Sequence, residues 1–131
     1  MSKATPSFRH PLAKARGLGS AKSGTQHWWH QRVTAMALVP LSIWLVFTLI
    51  HLVGADYATA KALIAQPHNS ILLGLFLLVG FSHAHLGGQV IIEDYVHCEK
   101  LKIIKLVLFK MACFAAAFAS LFAVLKIAIA G

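Results

Sequence analysis

Acidic residues are nearly missing from this chain. Its 131 residues include four, Asp56, Glu93, Asp94 and Glu99, against twelve Lys and Arg. Charge of either sign is scarce: 12% of residues are charged and 58% hydrophobic, whereas soluble domains average about a quarter charged. That balance excludes an ordinary soluble domain and points to a membrane class. The net charge of +8 does not mark a nucleic-acid binder. Six of the twelve bases (Lys3, Arg9, Lys14, Arg16, Lys22 and Arg32) precede the first apolar run, as in a cytoplasmic tail. Cysteine is scarce too. Cys98 and Cys113 form no C-x-x-C motif and no disulfide framework, and Cys113, within an apolar run, reads as a buried, inert thiol.

Residues 1–26 lack an apolar stretch, so they do not form a secretory signal. They are basic and free of acid, but Pro6, Pro11, Gly17, Gly19 and Gly24 interrupt any amphipathic helix. This argues against a mitochondrial transit peptide and favours a bacterial cytoplasmic membrane over a mitochondrial inner one. The expectation is an extended cytoplasmic arm over residues 1–26 and a membrane domain over 27–131.

Three apolar runs follow the arm. Trp28 and Trp29 form an interfacial belt before a charge-free run over 33–53, bent at Pro40. A polar connection over 54–69 holds room for a short interfacial helix at 57–65, and Pro67, Asn69 and Ser70 signal the next helix start. The second run ends near Ile92, and a charged connection over 93–105 leads into the third. Lys110 and Lys126 can snorkel to the two surfaces, and Ala112, Ala115, Ala116 and Ala119 have the spacing of a close-packing face. The fold class is therefore an all-α membrane protein with three transmembrane helices, at about 29–53, 70–93 and 103–130. The basic arm and second connection place the N terminus in the cytoplasm. Three such helices bury little against one another, so a helical partner in the membrane is expected.

The informative stretch is S-H-A-H-L-G-G-Q-V-I-I-E-D-Y, residues 82–95. At 100° and ~1.5 Å per residue, His83 and Asp94 share one helix face about 16 Å apart in depth. An imidazole at that depth needs partners: a hydrogen bond to another helix, or a metal such as haem iron. On the residues alone the hydrogen bond stands ahead, although Gly87 and Gly88 leave room for a flat porphyrin. His85 points about 200° away from His83, so the two cannot bind one metal from one helix. His51 lies at the opposite surface and cannot be a second ligand. Asp94-Tyr95 reads either as an ordinary helix end with an interfacial tyrosine or as a quinone site, where a phenol donates to a ring carbonyl and a carboxylate relays protons. Arg32 either snorkels or pairs with a carboxylate such as a haem propionate.

These residues have a familiar pattern. His83, ten residues, then Asp94-Tyr95 on the second of three spans resembles the small hydrophobic membrane anchor of succinate dehydrogenase, as does G-L-G-S-A-K-S-G-T-Q-H-W-W-H-Q-R-V-T-A at 17–35. The resemblance runs from Gly17 to about Leu125; Glu93 and Gly88 depart from it. It implies that His83 is one axial ligand of a haem b, the other coming from a second cytochrome b anchor subunit. Tyr95 would hydrogen-bond ubiquinone, the substrate, with Asp94 beside it, and Arg32 would lie near a haem propionate. Succinate oxidation would occur on a flavoprotein subunit, with electrons passing through an iron-sulfur subunit. His85 has no place in the pattern. Two other readings stay open at this level: the cytochrome b anchor of a fumarate reductase or another membrane dehydrogenase, and a non-catalytic three-helix scaffold.

Overall fold

The computed structural model describes residues 22–130, and among them there are helices and connections but no strand. The order is α1 (Lys22–His51), α2 (Tyr57–Ala65), α3 (Pro67–Tyr95) and α4 (Glu99–Ala130). Three of these, α1, α3 and α4, are long and apolar enough to cross a membrane. The all-α, three-span architecture is thus the one found. At ~1.5 Å per residue α3 reaches about 43 Å, beyond the ~30 Å of a hydrocarbon core, so its polar ends extend past the lipid tails.

The helices run further than the charge pattern indicates. α1 already includes Lys22, earlier than the expected start near residue 29, and Gly24 lies inside it. A single glycine costs a helix about 0.5–1 kcal/mol and does not stop one carried by a long apolar segment. Residues 1–21 of the expected arm lie outside the described residues. Pro40 likewise sits within α1 without ending it. The second connection shrinks from the expected 93–105 to residues 96–98, because Glu93, Asp94 and the lysines after Glu99 are helical. Charge there ends the apolar run without ending the helices. A surface ion pair, Lys102 to Glu99 at 3.4 Å, sits in the first turn of α4.

The first connection is built by local chemistry. Gly54, at φ +80°, takes the left-handed conformation that turns the chain after α1. Asp56 then caps α2, its Oδ1 accepting from the Thr59 N–H at 2.9 Å. Pro67 occupies the first turn of α3, where its missing N–H has no partner to lose. Asn69 closes the corner: its Nδ2 donates to the Leu63 carbonyl at 2.9 Å and to Gln66 Oε1 at 3.2 Å. At 8% exposure it is the single buried polar residue among those described.

α3 is the middle of the arrangement. It packs against both α1 and α4, α2 rests on α3 and α4, and α1 and α4 make no close backbone contact with each other. α4 meets α3 with Leu121 beside Gly74 and the ring of Phe109 over Gly88. No apolar side chain among the described residues is buried, and large ones such as Met36, Phe47, Phe114 and Phe118 are exposed. The alanines at 112, 115, 116 and 119, expected to mediate close packing, are all exposed in this chain. Cys113 is half-buried, and Cys98 is exposed in the connection.

Candidate functional site

His83 faces α1 from the second half of α3, and both ring nitrogens have neighbours there. Nδ1 lies 2.9 Å from Thr34 Oγ1, and Nε2 lies 3.3 Å from Gln31 Nε2. Gln31 and Thr34 are three residues apart, so they share one face of α1.

The contacts of Thr34 favour one placement of the protons. Its Oγ1 lies 2.8 Å from the His30 carbonyl oxygen and 3.1 Å from that of Gln31. A carbonyl cannot donate, and we assign the single hydroxyl hydrogen to the His30 carbonyl, the nearest of its acceptors. Thr34 Oγ1 is then an acceptor towards His83, and Nδ1 carries the imidazole hydrogen. This leaves the lone pair on Nε2, where the Gln31 amide N–H donates to it. Gln31 Oε1, on the other end of that amide, is buried without a hydrogen-bond partner.

Beside His83 is a groove of about 500 Å³, lined by Gln31, His83, Ala84, Gly87, Gly88, Ile91, Ile92 and Phe109. The glycines do not leave it as bare as expected. A Cβ on Gly87 would meet Gln31 Nε2 at 3.2 Å, and a Cβ on Gly88 would collide with the Phe109 ring. Gln31 is a flexible side chain that can turn out of the way; Phe109 is wedged between helices. Towards the end of α3 a second hollow of about 600 Å³ is lined by His27, Trp28, Gln31, Gly87, Gln89 and Glu93, with Gln89 Nε2 donating to Glu93 at 2.8 Å. His27 Nε2 is also buried there without a partner. Gln31 thus divides the hollow from the His83 groove.

His85 belongs to a different place. It lines a cleft of about 600 Å³ between α1 and α4, with His30, Thr34, Ser82, Lys110 and Cys113 at its polar part and Phe81, Phe114 and Phe118 along its walls. The two histidines therefore serve separate surfaces, as their angular separation on α3 predicts. His51 is exposed at the far end of α1. No group of three or more His, Cys, Asp or Glu side chains that could hold a metal ion occurs among the described residues.

The remaining expected site residues lie towards the same end of the bundle but form no joint site within this chain. Tyr95, the last residue of α3, is 78% exposed, and Asp94 beside it is exposed as well. Arg32 is exposed, with its guanidinium carbon 5.4 Å from the centroid of the Trp28 ring. Sequence reasoning missed Gln31 and Thr34. Their signal was present: two polar side chains three apart where the first span begins.

Fold and site together define a small, multi-pass helical membrane protein with one imidazole held between two spans. A family model described as succinate dehydrogenase/fumarate reductase transmembrane subunit matches residues 6–124. The chain is 41% identical over 98 residues to a Rickettsia bellii protein named succinate dehydrogenase hydrophobic membrane anchor subunit, covering 75% of this chain and 78% of that one. A protein of the same name from Paracoccus denitrificans is 35% identical over 109 residues, covering 82% and 84%. The succinate dehydrogenase membrane anchor subunit of Reclinomonas americana is 34% identical over 93 residues, covering 69% and 78%. No solved structure matches the chain. The chain belongs to the succinate dehydrogenase/fumarate reductase transmembrane subunit family.

Proposed function

We propose that this protein is the membrane anchor subunit of a succinate:ubiquinone oxidoreductase, and that His83 Nε2 is one axial ligand of a haem b. The observation that carries the haem assignment is the contact of Nδ1 with Thr34, which leaves Nε2 to Gln31, a side chain that also lines the groove. Imidazoles that bind metals are oriented in this way, the second nitrogen donating to a fixed acceptor. The residues fit the group. Gln31 is the one side chain that must turn aside, and its unsatisfied Oε1 marks its present place as imperfect. A haem supplies a one-electron redox centre when bound. With His83 the one imidazole lining the groove, a second ligand would be supplied by a second anchor subunit. Arg32, exposed at the α1 end, is the cation assigned to a propionate.

Ubiquinone is assigned to the Tyr95 end of α3. The phenol hydroxyl donates to a ring carbonyl, Asp94 supplies the adjacent carboxylate, and the isoprenoid tail stays in lipid. Since Tyr95 and Asp94 both project from the chain, the site is completed by neighbouring subunits. We assign these to the iron-sulfur subunit and the second anchor, with a flavoprotein oxidising succinate beyond them. The N terminus and the connection at 96–98 lie in the cytoplasm, and the membrane is the bacterial cytoplasmic one.

A different reading has its own observation. Both nitrogens of His83 have partners inside this chain, as a purely structural histidine would. Spectroscopy of the purified complex decides between them. The anchor reading expects a reduced-minus-oxidised b-type haem difference that His83→Ala changes and His85→Ala does not. A scaffold expects no haem difference at all. Tyr95→Phe is expected to depress quinone reduction at least tenfold while succinate oxidation with an artificial acceptor persists; equal loss of both would point to assembly instead.

A further inference from the structure

The hydrogen-bond chain behind His83 carries a consequence for the metal side of the ring. Starting from the His30 carbonyl, the order is carbonyl oxygen, Thr34 hydroxyl and His83 Nδ1–H, at 2.8 and 2.9 Å. In this tautomer each link has one direction: the hydroxyl gives its single hydrogen to the carbonyl and accepts from Nδ1–H. The helix backbone therefore sets the rotation of the Thr34 hydroxyl, and the hydroxyl sets the tautomer and tilt of the imidazole. Valine has the shape of threonine and lacks this chain, whereas serine keeps it.

We propose that Thr34 is a positioning residue for the haem-ligating nitrogen of His83. This rests on the reading of His83 as a ligand. Donation from Nδ1–H to a hydroxyl oxygen moves electron density towards Nε2 and makes it a stronger donor to iron. A stronger donor favours the ferric state, so the hydrogen bond holds the haem potential below the value that His83 alone would give. Thr34 touches neither haem nor quinone in this scheme. Its influence passes through the ring, and neither the short sequence motif nor the spacing of His83 to Tyr95 requires it.

The test uses the assembled complex carrying Thr34→Val, Thr34→Ser or His83→Ala, and reads haem content, the reduced-minus-oxidised spectrum, the low-spin electron paramagnetic resonance signal and the midpoint potential. Thr34→Val is expected to raise the potential and shift the resonance, or to lose haem, with Thr34→Ser close to the parent in every readout. An unchanged or lowered potential in Thr34→Val at full haem content would overturn the inference. So would equal loss of haem or assembly in the Val and Ser variants, since that marks a packing requirement. If instead His83→Ala leaves spectrum and potential unaltered, the ligand reading itself fails, whatever Thr34 does.

Discussion

Asp56 shows how much a single side chain does in the first connection. The Thr59 hydroxyl and then the Thr59 backbone N–H stabilise its carboxylate, and together they lower its pKa from the ordinary value near 3.8. A carboxyl whose pKa is depressed in the folded state stabilises that state above its unfolded pKa and loses the contribution as pH falls through the folded one. The cap of α2 is therefore intact at neutral pH and released below the ordinary carboxyl range. Asp56→Asn keeps an acceptor at the N-cap and is expected to abolish the acid-dependent change in the Thr59 amide, followed by nuclear magnetic resonance of the solubilised protein. Asp56→Ala should fray α2 at every pH. Asn69 acts nearby by a different route, joining the last turn of α2 to the first of α3 through two hydrogen bonds that an apolar residue cannot make.

Among the helices, the seam between α3 and α4 depends on Gly88, because Phe109 occupies the volume a side chain would need. Gly88→Ala forces the ring or the helix to move. Overpacking of this kind costs about 1–3 kcal/mol. The expected outcome is a lowered thermal midpoint of the detergent-solubilised complex, largely restored when Phe109→Ala accompanies it. An additive loss in the double variant would refute the contact. The seam also shows what the sequence could convey. Span number and the short helix at 57–65 were legible because apolar length and turn residues act locally. Which helix faces fill the glycine gaps was not, since nothing in α3 itself records that Phe109, from a later helix, reaches Gly88. The connection at 93–105 misled for a related reason: charged side chains end a hydrophobic run without ending the hydrogen-bonded backbone. At the site, the spacing of His83 to Asp94-Tyr95 was visible along one helix. The Gln31–Thr34 pairing with His83 joins two spans and depends on their register.

On the scale of the whole molecule, the outer faces of all three spans carry exposed large apolar residues. Lipid satisfies such faces, and so do helices of another subunit; the alanines at 112, 115, 116 and 119 offer a flat surface for the second. The proposed orientation gives a direct expectation. In a Cys98→Ser, Cys113→Ser background, Ala55→Cys should react with a membrane-impermeant maleimide from the periplasmic side, and a cysteine restored at 98 should react only from the cytoplasmic side. The reverse pattern would invert the topology and move Tyr95 away from any cytoplasmic iron-sulfur partner.

Because α1 and α4 each pack on α3 and not on each other, the molecule has a natural order of construction. A ribosome delivers α1 first, and this span has no partner within its own chain until α3 enters the membrane. Once those two meet, the contacts of His83 with Gln31 and Thr34 can all form, while α4 is still to be inserted. The contacts of His83, the proposed ligand, with α1 can be in place before synthesis of the subunit is complete, and the last helix then adds Phe109 to the wall of the groove.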